Sequence, residues 1–155
     1  MHPIDKKISE IGLSLPNIAS PIANYMPYKV YQNTLFISGQ GPIKNGELVY
    51  KGKIGKELTL EEGCKAAQLC CLNILSIIKY ACKNNWDNFD GIIKIGGFVN
   101  CSNNFMDHPK VINGASDMLV KILGDKGKHS RFAIGSNSLP LNMAVEIDAV
   151  VSIIC

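Results

Sequence analysis

The stretch from Thr59 to about Asn84 constrains the fold most. Ala67, Cys70, Cys71, Ile74, Leu75, Ile78 and Ala81 recur at steps of three and four residues and draw one apolar face along a helix. Thr59 and Glu62 have the spacing of a capping box, in which each side chain satisfies a backbone amide of the first turn. A helix this long with one apolar face needs a broad surface to cover. The run that follows, DGIIKIGGFVNCS from Asp90 to Ser102, reads as a strand and begins that surface. A second helix is expected to start near Pro109, with Val111, Ala115, Met118, Leu119 and Ile122 on its apolar face and Gly124 at its end.

The rest of the chain reads mainly as strands and turns. Lys29 to Tyr31 and Thr34 to Ser38 are strands joined around Gln32-Asn33, and Asn45-Gly46 is a hairpin signal. Ser130 to Ser136 is a strand, Leu139-Pro140 a turn, and Ala144 to Ile154 a final strand in which Val145, Ile147, Ala149 and Val151 alternate with Glu146, Asp148 and Val150. Asp5 to Leu13 has helical spacing, and Pro16, Pro21 and Pro27 punctuate an irregular segment after it. The order β-β-β-α-β-α-β-β predicts an α+β fold, a mixed sheet with two helices packed on one face. With no repeat, linker or low-complexity tract, residues 1–155 read as one domain. The uncovered sheet face predicts an oligomer.

Composition excludes several function classes. The net charge is +3, but the lysines are scattered and form no basic stripe, which argues against a nucleic-acid partner. The N-terminus lacks the apolar core of a secretory signal, and no run approaches the roughly 18 apolar residues of a membrane span. A cytoplasmic location is therefore expected. Cys64, Cys70, Cys71, Cys82, Cys101 and Cys155 include no CxxC pair and read as reduced thiols, mostly buried. Cys101 with His108 would make only half a zinc site, so no metal is expected.

Other polar motifs are weaker. Ser38-Gly39-Gln40-Gly41 follows a strand but lacks the Gly-Lys-Ser/Thr step or the following helix of a nucleotide loop, so it reads as a tight turn. Asp107-His108 and the residues from Asp87 to Asp90 read as caps and solvated turns. Arg131 is the only arginine in the chain, and His129 beside it is either a surface residue or a neighbour of a site. Glu146 lies in the apolar final strand, and the turn between them could bring Arg131 and Glu146 to one sheet end. Two readings remain open there: an ion pair that holds the sheet, or a site in which the guanidinium grips an anion and the carboxylate handles water. A lone arginine favours two-pronged recognition of a planar carboxylate.

These segments together resemble the reactive-intermediate deaminases, the RidA/YjgF family, also called endoribonuclease L-PSP. The resemblance rests on LFISGQGP, AQLCCLNILSII, GFVN, VINGASDMLV and RFAIGSNSLPLNMAVEIDAVV, in that order, and covers the chain beyond about Leu15. Residues 1–15 then form an N-terminal extension. The resemblance implies a chorismate-mutase-like fold and a homotrimer with sites in clefts between subunits. It also implies cofactor-independent hydrolysis of enamines and imines such as 2-aminoacrylate, of the 2-iminobutanoate/2-iminopropanoate type, to 2-keto acids and ammonia. Arg131 matches the arginine that binds the substrate carboxylate, and Glu146 the acid that holds the attacking water. Tyr25 matches an aromatic cleft residue, Gly39 a glycine whose backbone meets the ligand, and Asn113 a helix asparagine near it.

The chain departs from the family pattern around its arginine. His129-Ser130 stand where Pro-Ala is usual, Ala133 where Cys or Ser is frequent, and Gly135 where an acid is frequent. The stretch MDHP before the second helix is additional. Two further functions are weighed: a module that binds a carboxylate metabolite without turning it over, and the RNA-cleaving or translation-inhibiting role of the older family label.

Overall fold

The computed structural model describes residues 1–18 and 24–154, so Pro21 and Cys155 lie outside the described residues. Helix α1 spans Pro3–Glu10, strands β1 and β2 span Tyr28–Tyr31 and Thr34–Gln40, and a small hairpin pairs β3 (Ile43–Lys44) with β4 (Glu47–Leu48). Then come α2 (Leu60–Ala81), β5 (Phe89–Asn100), α3 (His108–Leu123), β6 (Ser130–Ser136) and β7 (Val145–Ile153). The main sheet has the order β1-β2-β7-β5-β6, with β5 and β6 parallel and the other pairs antiparallel. This is the expected mixed α+β architecture, with α1 as a third helix and an extra short strand in the hairpin.

Local chemistry accounts for the element ends. Thr59 Oγ1 accepts from the Glu62 amide at 3.2 Å, and Glu62 Oε2 accepts from the Thr59 amide at 2.7 Å, which completes the capping box of α2. Gly124 ends α3 with φ 63°. Asn45 and Gly46 take φ 53° and 79°, the left-handed pair that a two-residue hairpin turn needs.

Helix α2 is buried more widely than one apolar face requires. From Cys70 to Ile78 every residue is buried, including Asn73 and Ser76. These polar groups are satisfied by irregular segments that pack beside α2. Asn73 Nδ2 donates to the carbonyls of Gly41 and Ile43, and Ser76 Oγ donates to the Pro16 carbonyl. Helix α1 is tied to the C-terminal end of α2 and to Trp86, because Asp5 Oδ1 accepts from Lys79 Nζ (2.8 Å) and Trp86 Nε1 (3.0 Å). Burial opposes ionisation of Asp5, but these two hydrogen bonds and the Lys79 charge outweigh it and hold its carboxyl below the ordinary value.

Helices α2 and α3 touch through backbone. A Cβ on Gly114 would collide with the Cys64 carbonyl, so only glycine allows this approach. Gly114→Ala is expected to destabilise the protein by about 2–3 kcal/mol and to lower Tm by about 5–10 °C. Thermal denaturation followed by circular dichroism measures it; an unchanged Tm would mean the helices separate at Cys64 without strain.

The two faces of the sheet differ sharply. Leu35, Ile37, Ile95, Val99, Val145, Ile147, Ala149 and Val151 face the helices and are buried. The opposite face carries Phe36, Phe98, Phe132, Ile134 and Val150 with Glu146 and Asp148. Phe36 and Ile134 are each 47% exposed there, and Phe98 and Phe132 meet edge-on at 5.3 Å.

Candidate functional site

Arg131 lies on the edge strand β6 and faces the helices. Its Nη1 donates to Ser116 Oγ (3.0 Å) and its Nη2 to the Pro109 carbonyl (3.3 Å), both on α3. Among the described residues no carboxylate pairs with it. Two N–H donors are taken and the others remain for a planar anion. The guanidinium opens on a shallow pocket of about 300 Å³ lined by Asn113, Ser116, Val120, Lys128, His129 and Arg131. Asn113 and Arg131 are therefore brought together.

Glu146 is elsewhere. Arg131 pairs with Ile95 and Glu146 with Phe98 on β5, and residues 95 and 98 are an odd number apart with no irregularity between them. Side chains alternate along a strand, so Arg131 and Glu146 project to opposite faces of the sheet, with β5 between their strands. The expected meeting at one sheet end, as an ion pair or as one site, does not occur within the chain.

Instead Glu146 sits against Gly39. Between Ile37 and Gln40 strand β2 shifts register against β7, a bulge that turns Gly39 toward the carboxylate. A Cβ on Gly39 would lie 2.5 Å from Glu146 Oε1, so glycine is what lets this backbone and the acid share the space. Burial pushes the Glu146 carboxyl above its ordinary value, and the neighbouring Asp148 charge adds to the shift. Tyr25 is 52% exposed and precedes Met26, whose carbonyl accepts from Ser38 Oγ at 2.7 Å. Gly39 and Glu146 thus form one group at the β2 bulge, with Tyr25 on the segment tied to Ser38 beside it, and Arg131 with Asn113 form another beside α3.

Two residues near Arg131 carry more structure than the sequence indicated. Ser116 belongs to no sequence motif; it lies three residues after Asn113, one helical turn along, and that spacing is its only signal in the sequence. His129 is a neighbour of the pocket, with Nε2 2.9 Å from Ser116 Oγ and Nδ1 2.6 Å from the Gly127 carbonyl. Elsewhere, Cys101 Sγ and His108 Nε2 meet at 3.4 Å. Among the described residues no group of three or more His, Cys, Asp or Glu side chains is placed to hold a metal. Among the described residues Cys70, Cys71 and Cys101 are buried thiols free of disulfides, Cys82 is buried, and Cys64 is partly exposed. Among the described residues no helix is long and apolar enough to cross a membrane.

A mixed sheet with its helices on one face, an edge-strand arginine opening on a pocket and an acid at a bulged glycine define an α+β protein with two separate polar groups. Residues 5–151 match the family model described as "YjgF/chorismate mutase-like, putative endoribonuclease", and the chain belongs to that family. Protein TCP17 of Trypanosoma cruzi is 35% identical over 147 residues, covering 94% of this chain and 91% of that protein. A crystal structure of a protein of unknown function from Agrobacterium tumefaciens is similar at 38% identity and TM-score 0.92, covering 97% of this chain and 92% of that one. A "putative endoribonuclease" of Shewanella oneidensis is similar at 32% identity and TM-score 0.94, covering 98% and 100%.

Proposed function

We propose that this chain is a hydrolytic deaminase of small enamines and imines, such as 2-aminoacrylate and related 2-imino acids. It releases the 2-keto acid and ammonia and needs no cofactor. The observation that carries this reading is Arg131: a guanidinium fixed on two sides by α3, with donors to spare, opening on a pocket beside Asn113. Such a group suits a small planar carboxylate gripped by two parallel hydrogen bonds.

The chemistry needs orientation, a placed water and a proton route. With the carboxylate on Arg131, the imine carbon is held for attack, and fixed geometry of this kind lowers a barrier by several kcal/mol. Water adds to that carbon while Glu146 takes its proton. With the imine nitrogen protonated beforehand, the adduct is a neutral carbinolamine. Glu146 passes the same proton to its nitrogen, the carbon–nitrogen bond breaks and ammonia leaves, and the hydroxyl proton returns to Glu146 as the keto carbonyl forms. A raised carboxyl value suits that exchange.

Glu146 and Arg131 act on one substrate only if they come from different copies. We propose a homotrimer in which the exposed apolar face around Phe36, Phe132 and Ile134 is covered by neighbouring chains. The Arg131 pocket of one copy then faces the Tyr25–Gly39–Glu146 group of the next.

The test supplies the protein to a dehydratase that generates 2-aminoacrylate or 2-iminobutanoate and follows keto-acid release, with the assembly mass measured by light scattering. Faster release by a trimer supports the proposal. Saturable binding of 2-ketobutyrate with no rate effect makes the chain a binding module. RNA cleavage that survives Arg131→Ala returns the older family label.

A further inference from the structure

The side chains behind Arg131 form a chain of hydrogen bonds whose proton order, with a neutral imidazole, follows from the carbonyl at its far end. The Gly127 carbonyl can only accept, so the His129 Nδ1 that lies 2.6 Å from it carries a proton. In the neutral imidazole Nε2 is then an acceptor and takes the hydroxyl hydrogen of Ser116 across 2.9 Å. The Ser116 oxygen is thereby left with a lone pair facing Arg131 Nη1 at 3.0 Å. Each link sets the direction of the next, from the short turn at residues 124–127 to the guanidinium.

A serine, a histidine and a carbonyl in sequence also resemble an acyl-transfer nucleophile with its base. The surroundings do not support that role. Ser116 sits inside α3, where backbone amides are spent on the helix itself, so no pair of N–H groups is available to receive an oxyanion. One of its two oxygen lone pairs accepts from Arg131, and attack would give up that hydrogen bond.

We infer that Ser116 and His129 are positioning residues for Arg131, holding the guanidinium plane so that its remaining donors face the carboxylate of the ligand. This rests on the carboxylate-binding reading of Arg131 given above. A guanidinium held only by the Pro109 carbonyl can turn about its side-chain torsions. One held at both Nη atoms is locked before the ligand arrives, and less freedom is lost on binding.

The experiment compares Ser116→Ala and His129→Ala with the conservative Ser116→Thr and His129→Gln. Each alanine variant is expected to raise KM for 2-iminobutanoate about tenfold, with kcat within about twofold of the parent. The double alanine variant is expected to be no worse than either single, because both act through one chain. Threonine and glutamine should restore most of the affinity, since each returns an oxygen to its link. An imine substrate whose carboxylate is replaced by a neutral amide should be handled alike by all variants. Unchanged KM in the alanine variants, additive losses, or equal losses with the neutral amide would each overturn the inference. Calorimetric binding of 2-ketobutyrate reads the same effect without catalysis. A wild-type chain that binds this acid but hydrolyses no imine thus ends the deaminase reading and still decides the role of Ser116 and His129.

Discussion

Arg131→Ala is expected to lower kcat/KM for 2-imino acids by about 10²–10³-fold and to abolish measurable binding of 2-ketobutyrate. Removing one side of a desolvated, hydrogen-bonded charge pair costs about 2–5 kcal/mol, and each 1.4 kcal/mol is about a factor of ten. The fold should survive, because Arg131 is held only by Ser116 and the Pro109 carbonyl and supports no ion pair among the described residues. Arg131→Lys is expected to keep a tenth of the activity or less, roughly, although the charge is conserved. An ammonium is a point donor and cannot hold two groups on α3 while presenting a planar fork to the ligand. Steady-state kinetics with thermal melting as a control decide it. Equal activity of the lysine variant would show that charge alone suffices and remove the argument from the lone arginine.

Elements governed by local chemistry were legible in the sequence; relations between distant strands were not. The capping box at Thr59 and Glu62, the Asn45-Gly46 turn and the alternation along β7 each follow from a few neighbouring residues, and the fold shows all of them. The breadth of α2 burial was hidden, because its second cover comes from Pro16, Gly41 and Ile43, far off in sequence. The face of Arg131 relative to Glu146 was hidden for a different reason. A separation of 15 residues fixes no parity when the path crosses a turn with left-handed residues at Leu141 and Asn142. Only the registers of β6 and β7 against β5 decide it. The bulge that brings Gly39 to Glu146 leaves no mark in the sequence beyond the glycine itself. The residues of both groups could therefore be singled out in the sequence, while their separation within one chain could not be foreseen.

That separation gives Glu146 two distinguishable signatures. Glu146→Gln is expected to lower kcat by about 10²-fold or more while changing KM little, because the amide cannot take a proton from water but leaves the carboxylate grip at Arg131 intact. Stability should respond in the opposite sense. Burial, with Asp148 beside it, raises the folded-state value of this carboxyl above its unfolded one. Its contribution to stability is then fully present below the unfolded pKa and is lost as pH rises through the folded value. A glutamine, neutral throughout, escapes that loss, so the variant should be at least as stable as the parent at neutral pH and gain relative to it on going from acid to neutral. The acid limb of kcat/KM in the parent should lie above the ordinary glutamate range and vanish in the variant. Kinetics and thermal melting between about pH 4 and 8 measure both. A variant that melts lower at neutral pH and keeps its kcat would make Glu146 a structural acid that braces Gly39, and the water-handling role would pass to another group.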